Sequence, residues 1–157
     1  PYAPRVILKA LVAQCADAGF EPWVGAEVEY FLLRRHADGS VAVADSADTA
    51  AQPCYDARGV TRMYDHLTAV STAMNQLGWS NYANDHENGN GQLEQNYAFD
   101  EALITADRVI TLRYLLSMIA ADGGEDAEGC TGRTYLSRRA VTPGAISGRR
   151  RPPWRLR

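Results

Sequence analysis

Apolar residues recur along this chain with two different periods. Residues 4–18 carry Val6, Leu8, Leu11, Val12 and Cys15 on one broad helical face. Pro4 suits the start of that helix and Gly19 its end. Residues 22–34 then alternate as a strand does. Val24, Ala26, Val28, Tyr30 and Leu32 fall on one side, and Gly25, Glu27, Glu29, Phe31 and Leu33 on the other. Asp38-Gly39 marks a turn, with Val41 and Val43 as a short returning strand. Helical spacing resumes from Val60 to Leu77 through Met63, Leu67, Val70 and Met74, and Gly78 stops it. Strands are expected over 79–87 and 92–99, joined by Asn88-Gly89-Asn90-Gly91. Asp100 is the expected N-cap of the longest helix, 101–121. Its expected buried stripe is Leu103, Ile110, Tyr114, Leu115, Met118 and Ile119. The fold class is therefore α+β, with antiparallel strands backed by helices.

Composition narrows the function. The 157 residues are 46% hydrophobic and 22% charged, which suits a globular chain. No apolar run is long enough to span a bilayer, and no signal-peptide pattern opens the chain. Pro1 in place of methionine leads us to expect a start inside a longer reading frame. Cys15, Cys54 and Cys130 match neither a disulfide framework nor a zinc pattern, and a reducing cytoplasm is the simplest compartment. Cys15 reads as a small core residue. Residues 1–124 hold 16 acids against 8 bases, which argues against nucleic acid as a partner. Residues 125–157 hold 3 acids against 8 arginines and lose all apolar period. With a single lysine in an arginine- and alanine-rich chain, this segment reads as a disordered, frameshifted or otherwise foreign tail. A basic arm for nucleic acid or anionic lipid is the alternative.

Four glutamates carry the candidate chemistry. Glu27 and Glu29 lie two apart on a strand, so they share a face with Cα atoms about 6.5–7 Å apart. That spacing suits two neighbouring cations better than one; a solvated strand face is the plain alternative. Glu87 and Glu94 flank the Asn-Gly turn, where two ordinary hairpin acids would also fit. If all four converge, divalent ions must offset their repulsion, and all-oxygen ligation favours Mg2+ or Mn2+.

These residues stand in recognisable segments. Gly25-Ala26-Glu27-Val28-Glu29-Tyr30-Phe31-Leu32 resembles the G-x-E-x-E-F/Y-F-L strand of glutamine synthetases. His86-Glu87 with Gly91-Gln92-Leu93-Glu94 resembles their H-E…G-Q-x-E segment, and Asp100–Leu103 with Thr105–Arg108 their D-A-L-x-T-A-D helix start. The resemblance covers residues 4 to about 124. Pro53–Asp56 and Asn84–Glu87 look most like the branch of type III-like glutamine synthetases and γ-glutamylmethylamide synthetases.

The resemblance implies a partial glutamine-synthetase catalytic domain over 1–124. The implied reaction is ATP-dependent ligation of ammonia to the γ-carboxylate of glutamate, through γ-glutamyl phosphate. A methylamide or polyamine synthetase is the alternative, as is a non-catalytic metal-binding fragment or pseudogene product. By motif position, Glu29, Glu87 and Glu94 would hold the ion nearer glutamate, and Glu27 would serve the ion that bridges the ATP phosphates. His86 is a candidate for the nucleotide's vicinity, with a structural hydrogen-bonding role as its alternative. Gln92 is expected to shape the turn; His36 and His66 are expected to be exposed; Asp107 and Arg108 are expected to make helix or subunit contacts. The family's ring-shaped dodecamer is the implied assembly. Its N-terminal β-grasp domain, the histidine of the second ion and the substrate-binding arginines find no match in this chain, so an incomplete active site is expected.

Overall fold

The computed structural model describes residues 2–124 and the strand Asp126–Ala140. Ten elements follow in the order α1 (Pro4–Asp17), β1 (Phe20–Arg35), β2 (Val41–Val43), α2 (Ala57–Arg62), α3 (Tyr64–Gln76), β3 (Asn81–His86), β4 (Gln92–Tyr97), β5 (Asp100–Glu101), α4 (Ala102–Asp122) and β6 (Asp126–Ala140). β1 is the spine of an antiparallel sheet. It pairs with β2, β4, β5 and β6, and β3 pairs with β4 beyond it. β6 covers part of the arginine-rich segment and runs along β1 from Phe20↔Ala140 to Leu33↔Asp126. Residue 125 and residues 141–157, which complete that segment, lie outside the described residues.

The alternation in β1 sorts its side chains as expected. Ala26, Val28, Tyr30 and Leu32 are buried, and they pack with Leu67, Val70 and Met74 of α3, Leu93 and Tyr97 of β4, and Leu112, Leu116 and Ala120 of α4. The opposite face of β1 is only partly covered, and it carries Glu27 and Glu29. One strand thus separates a dry layer from an acidic one.

Several helical expectations need correction. The single helix expected over 60–77 is two, broken at Met63 and begun earlier, because the Asp56 carboxylate accepts the Arg58 N–H and caps residue 57 onward. Asp100 does not cap α4. Glu101 holds that position, while Asp100 accepts the Glu101 N–H and pairs with Arg108 at 2.6 Å. The buried side of α4 is Ala102, Thr105, Leu112, Leu116 and Ala120. Of the expected stripe, Leu115 and Ile119 pack on the core, but Ile110, Tyr114 and Met118 are exposed. α1 has no buried residue, so Cys15 is half-buried rather than a core residue. α1 is joined to α4 by a two-pronged Arg5–Asp107 pair, both bonds 2.8 Å.

His66 also departs from expectation. It is half-buried, and its Nε2 lies 3.0 Å from the Tyr30 hydroxyl, which itself donates to Gln95 Oε1. Burial pushes its pKa from 6.5 down to about 4. The unfolded chain therefore takes up the proton first as pH falls. Stability is full above the unfolded value of 6.5 and declines until about pH 4, where both states are charged. At about 1.36 kcal/mol per pKa unit the ceiling is roughly 3 kcal/mol, reduced by the solvent that His66 still meets. Urea titrations from pH 7 to 4 on wild type and His66→Gln measure this. The substitution should flatten the decline, and an unchanged slope would show that other groups cause it.

Candidate metal centre

The site is built from two neighbouring strands and the turn after β3. Across the β1–β4 ladder Glu29 stands opposite Glu94, and Glu27 opposite Asn96. Across β3–β4, Asp85 stands opposite Glu94. Paired residues point to the same side of a sheet, so Glu27, Glu29, Glu94, Asn96 and Asp85 share one face. Glu87 lies just past the end of β3, with its N–H donated to the Gln92 carbonyl at 2.8 Å. Glu87 and Glu94 are therefore not directly opposite each other. They meet because Glu87, two residues beyond Asp85, falls on the same face as Glu94, and its bond to the Gln92 carbonyl continues the β3–β4 ladder by one position.

Carboxylate oxygens of Glu29, Glu87 and Glu94 lie within 4.8 Å of one another. Glu87 and Glu94 are buried and Glu29 is half-buried. Each has a neighbour that orients it. Gln92 Nε2 donates to Glu29 Oε2 at 2.8 Å, Asn96 Nδ2 to Glu94 Oε1 at 2.5 Å, and Asn88 Nδ2 to Glu87 Oε2 at 3.3 Å. Gln92 Oε1 also accepts the Gly89 N–H, so this side chain shapes the turn as expected and aims a carboxylate besides. The donor set fits a hard divalent cation: six oxygens about 2.1 Å from an ion stand about 3–4 Å from each other. Asn96 Oδ1 is buried with no hydrogen-bond partner, a further oxygen beside the carboxylates whose need is unmet. Glu27 shares the face but is not part of the three-carboxylate group.

His86 is 1% exposed. Its Nδ1 faces the Glu87 carbonyl at 2.9 Å and its Nε2 faces Asp48 Oδ2 at 2.7 Å. The ring thus meets the protein's interior rather than solvent. A Cβ on Gly59 would stand 2.4 Å from His86 Cδ2, so only glycine lets α2 pass this ring. Asp48 also accepts the Gly91 N–H at 2.5 Å and the Asn90 amide at 3.1 Å. Burial opposes its ionisation, but the Gly91 N–H, the Asn90 amide and His86 outweigh it and hold Asp48 below the usual carboxylate range.

Three neighbours of the site were not singled out from the sequence. Asp48 comes from a loop without period, and nothing local marks it. Tyr55 is exposed and holds φ at 61°, rare for a bulky residue, with its N–H bonded to the His86 carbonyl at 2.8 Å. Negative charge on Cys54, then on Glu87, Glu94 and Asp85, raises its phenol pKa. Asp85 alone carried a readable signal, since it lies two residues from Glu87 on an expected strand.

Known proteins match this chain over most of its length. The profile of the family described as glutamine synthetase, catalytic domain, matches residues 1–128. A glutamine synthetase of Rhizobium leguminosarum bv. phaseoli is 44% identical over 122 residues, which are 78% of this chain and 27% of that protein. A glutamate–methylamine ligase of Methyloversatilis universalis is 37% identical over 123 residues, 78% of this chain and 28% of that one. Among solved structures, a GmaS/ADP complex superposes with a TM-score of 0.79 at 38% identity, over 88% of this chain and 34% of that chain. The chain thus shares the sheet and helices of part of that solved structure. It belongs to the glutamine synthetase catalytic-domain family. It spans about a quarter of the length of the curated relatives that it matches. Among the described residues no helix is long and apolar enough to cross a membrane.

Proposed function

We propose that Glu29, Glu87 and Glu94 hold one Mg2+ or Mn2+ ion. We further propose that Glu27 serves a second ion, in a ligase that uses ATP to join ammonia or an amine to the γ-carboxylate of glutamate. The observation that carries this reading is the meeting of three carboxylate oxygens within 4.8 Å on a partly buried sheet face. When bound, the ions supply neutralising charge for phosphoryl transfer, a reaction that asks mainly for positioning. The chain's own part is to aim the carboxylates through Gln92, Asn96 and Asn88, and to keep them rigid. The Glu87 carbonyl is steadied by His86, whose service to a nucleotide would be indirect.

Relatives named glutamine synthetase and glutamate–methylamine ligase stand at 44% and 37% identity, so the acceptor amine is a matter for a substrate panel on the full-length gene product. A dodecameric ring and a cytoplasmic location belong to the same proposal. So does the distinct origin of residues 125–157; the family match ending at residue 128 supports it, and sequencing across codon 125 tests it.

Electron paramagnetic resonance of free Mn2+ tests the site directly. The purified chain should remove Mn2+ from solution saturably, and a chain that takes up no more than its Glu94→Gln variant would end the metal reading. γ-Glutamyl transfer to hydroxylamine with Mn2+ then separates enzyme from fragment: any turnover by this chain rejects the non-catalytic reading.

A further inference from the structure

Resting on that metal reading, we infer that Asp48 is a positioning residue for the ion site, acting through the turn between β3 and β4. Asp48 grips both ends of the turn between β3 and β4, which begins at Glu87 and runs into Gln92. At one end is His86, the residue before Glu87, held through Nε2 at 2.7 Å while its Nδ1 meets the Glu87 carbonyl. At the other end is Gly91, the residue before Gln92, held through its N–H at 2.5 Å. Gln92 in turn aims Glu29. The Asn90 amide, at the tip, reaches both Asp48 Oδ1 and the Ala50 carbonyl.

This clamp is itself anchored. Asp48 lies in a loop whose Asp45 pairs with Arg62 of α2 at 2.5 Å and accepts the Ala47 N–H. Gly91 holds φ at +73°, where a Cβ would stand 2.9 Å from Val43 Cγ1, so the turn has little room to settle elsewhere. Asp48 is 5% exposed, and its carboxylate is spent on three donors that all belong to the turn segment. A buried charge fixed in this way sets where Glu87 and Glu29 stand relative to Glu94, which β4 fixes independently. Partners behind a ligand commonly govern affinity as the ligands do.

The test is Mn2+ affinity, read by paramagnetic resonance well below each variant's melting temperature. Asp48→Asn keeps the shape and removes the charge, and it should weaken Mn2+ binding roughly 10–100-fold. Leu116→Val, a core change far along the sequence on α4, serves as the stability control and should leave affinity within about twofold. Asn90→Ala removes one donor of Asp48 at a half-buried position and should weaken binding by about threefold, a smaller loss of the same kind. If Asp48→Asn does not fold, Asn90→Ala decides. Wild-type affinity in Asp48→Asn, or equal losses in Asp48→Asn and Leu116→Val, would overturn the inference and leave the metal site standing. Absence of Mn2+ binding by wild type would remove the metal reading and this inference together.

Discussion

Glu94→Gln is expected to make the ion-free chain more stable while removing its response to Mn2+. The two effects have one cause. Carboxylate oxygens no farther apart than 4.8 Å repel each other. At that distance a pair of unit charges costs about 1 kcal/mol in water and about 3–4 kcal/mol at an effective dielectric near 20. Glu94 is buried and sits between Glu29 and Glu87, so it takes part in two such pairs. Glutamine keeps an oxygen to accept the Asn96 amide but carries no charge. A gain of about 1–3 kcal/mol without metal follows, the upper pairwise figures being cut by solvent around the half-exposed Glu29. Mn2+ acts in the opposite direction. At a free concentration of about 100 times Kd, an ion that binds only the folded chain adds about 2.7 kcal/mol. Loss of a direct carboxylate ligand should weaken binding by more than the roughly 10–100-fold that outer partners command. Urea melts of both chains should therefore show a Mn2+-dependent gain in wild type that the variant lacks. If Mn2+ stabilises both equally, or if the ion-free variant is clearly less stable, the three glutamates are not a cation site.

The parts of this site that the sequence revealed were those set by local period. Glu27 and Glu29 follow from alternation in β1, and the hairpin that brings in Glu94 follows from Asn88–Gly91. That Glu94 faces Glu29 rather than Glu87 depends on pairing β1 with β4, and no local pattern encodes that register. Their reading as metal ligands rests on motif resemblance, not on spacing. Asp48 shows the limit most clearly. Its partners lie 38 to 43 positions away, and its own loop of Ala, Asp, Ser and Thr has no apolar rhythm. His66 fails for a related reason: a polar residue on a helix reads as exposed unless its partner, here the Tyr30 hydroxyl on another element, is known.

α4 shows how a strong signal can still mislead, and it supplies the largest expected stability effect. The helix is apolar nearly all round, so spacing alone cannot choose which side faces the core. The sheet and α3 make that choice. Leu112, Leu116 and Ala120 turn inward, while Ile110 and Tyr114 are 66% and 65% exposed. Leu116→Ala should cost about 2–5 kcal/mol, the transfer of a buried side chain plus the cavity left behind. For a chain of this size that lowers Tm by roughly 10 °C. Ile110→Ala should change stability by no more than about 0.5 kcal/mol, since it empties no cavity and alanine is the better helix former. Thermal melts of the two variants beside wild type discriminate the two sides of one helix. Equal losses, or a greater loss at Ile110, would mean that α4 is rotated from the orientation described here. Thr105 would then have to give up the bond its hydroxyl donates to the Val24 carbonyl, the tie that joins the start of this helix to the strand bearing Glu27 and Glu29.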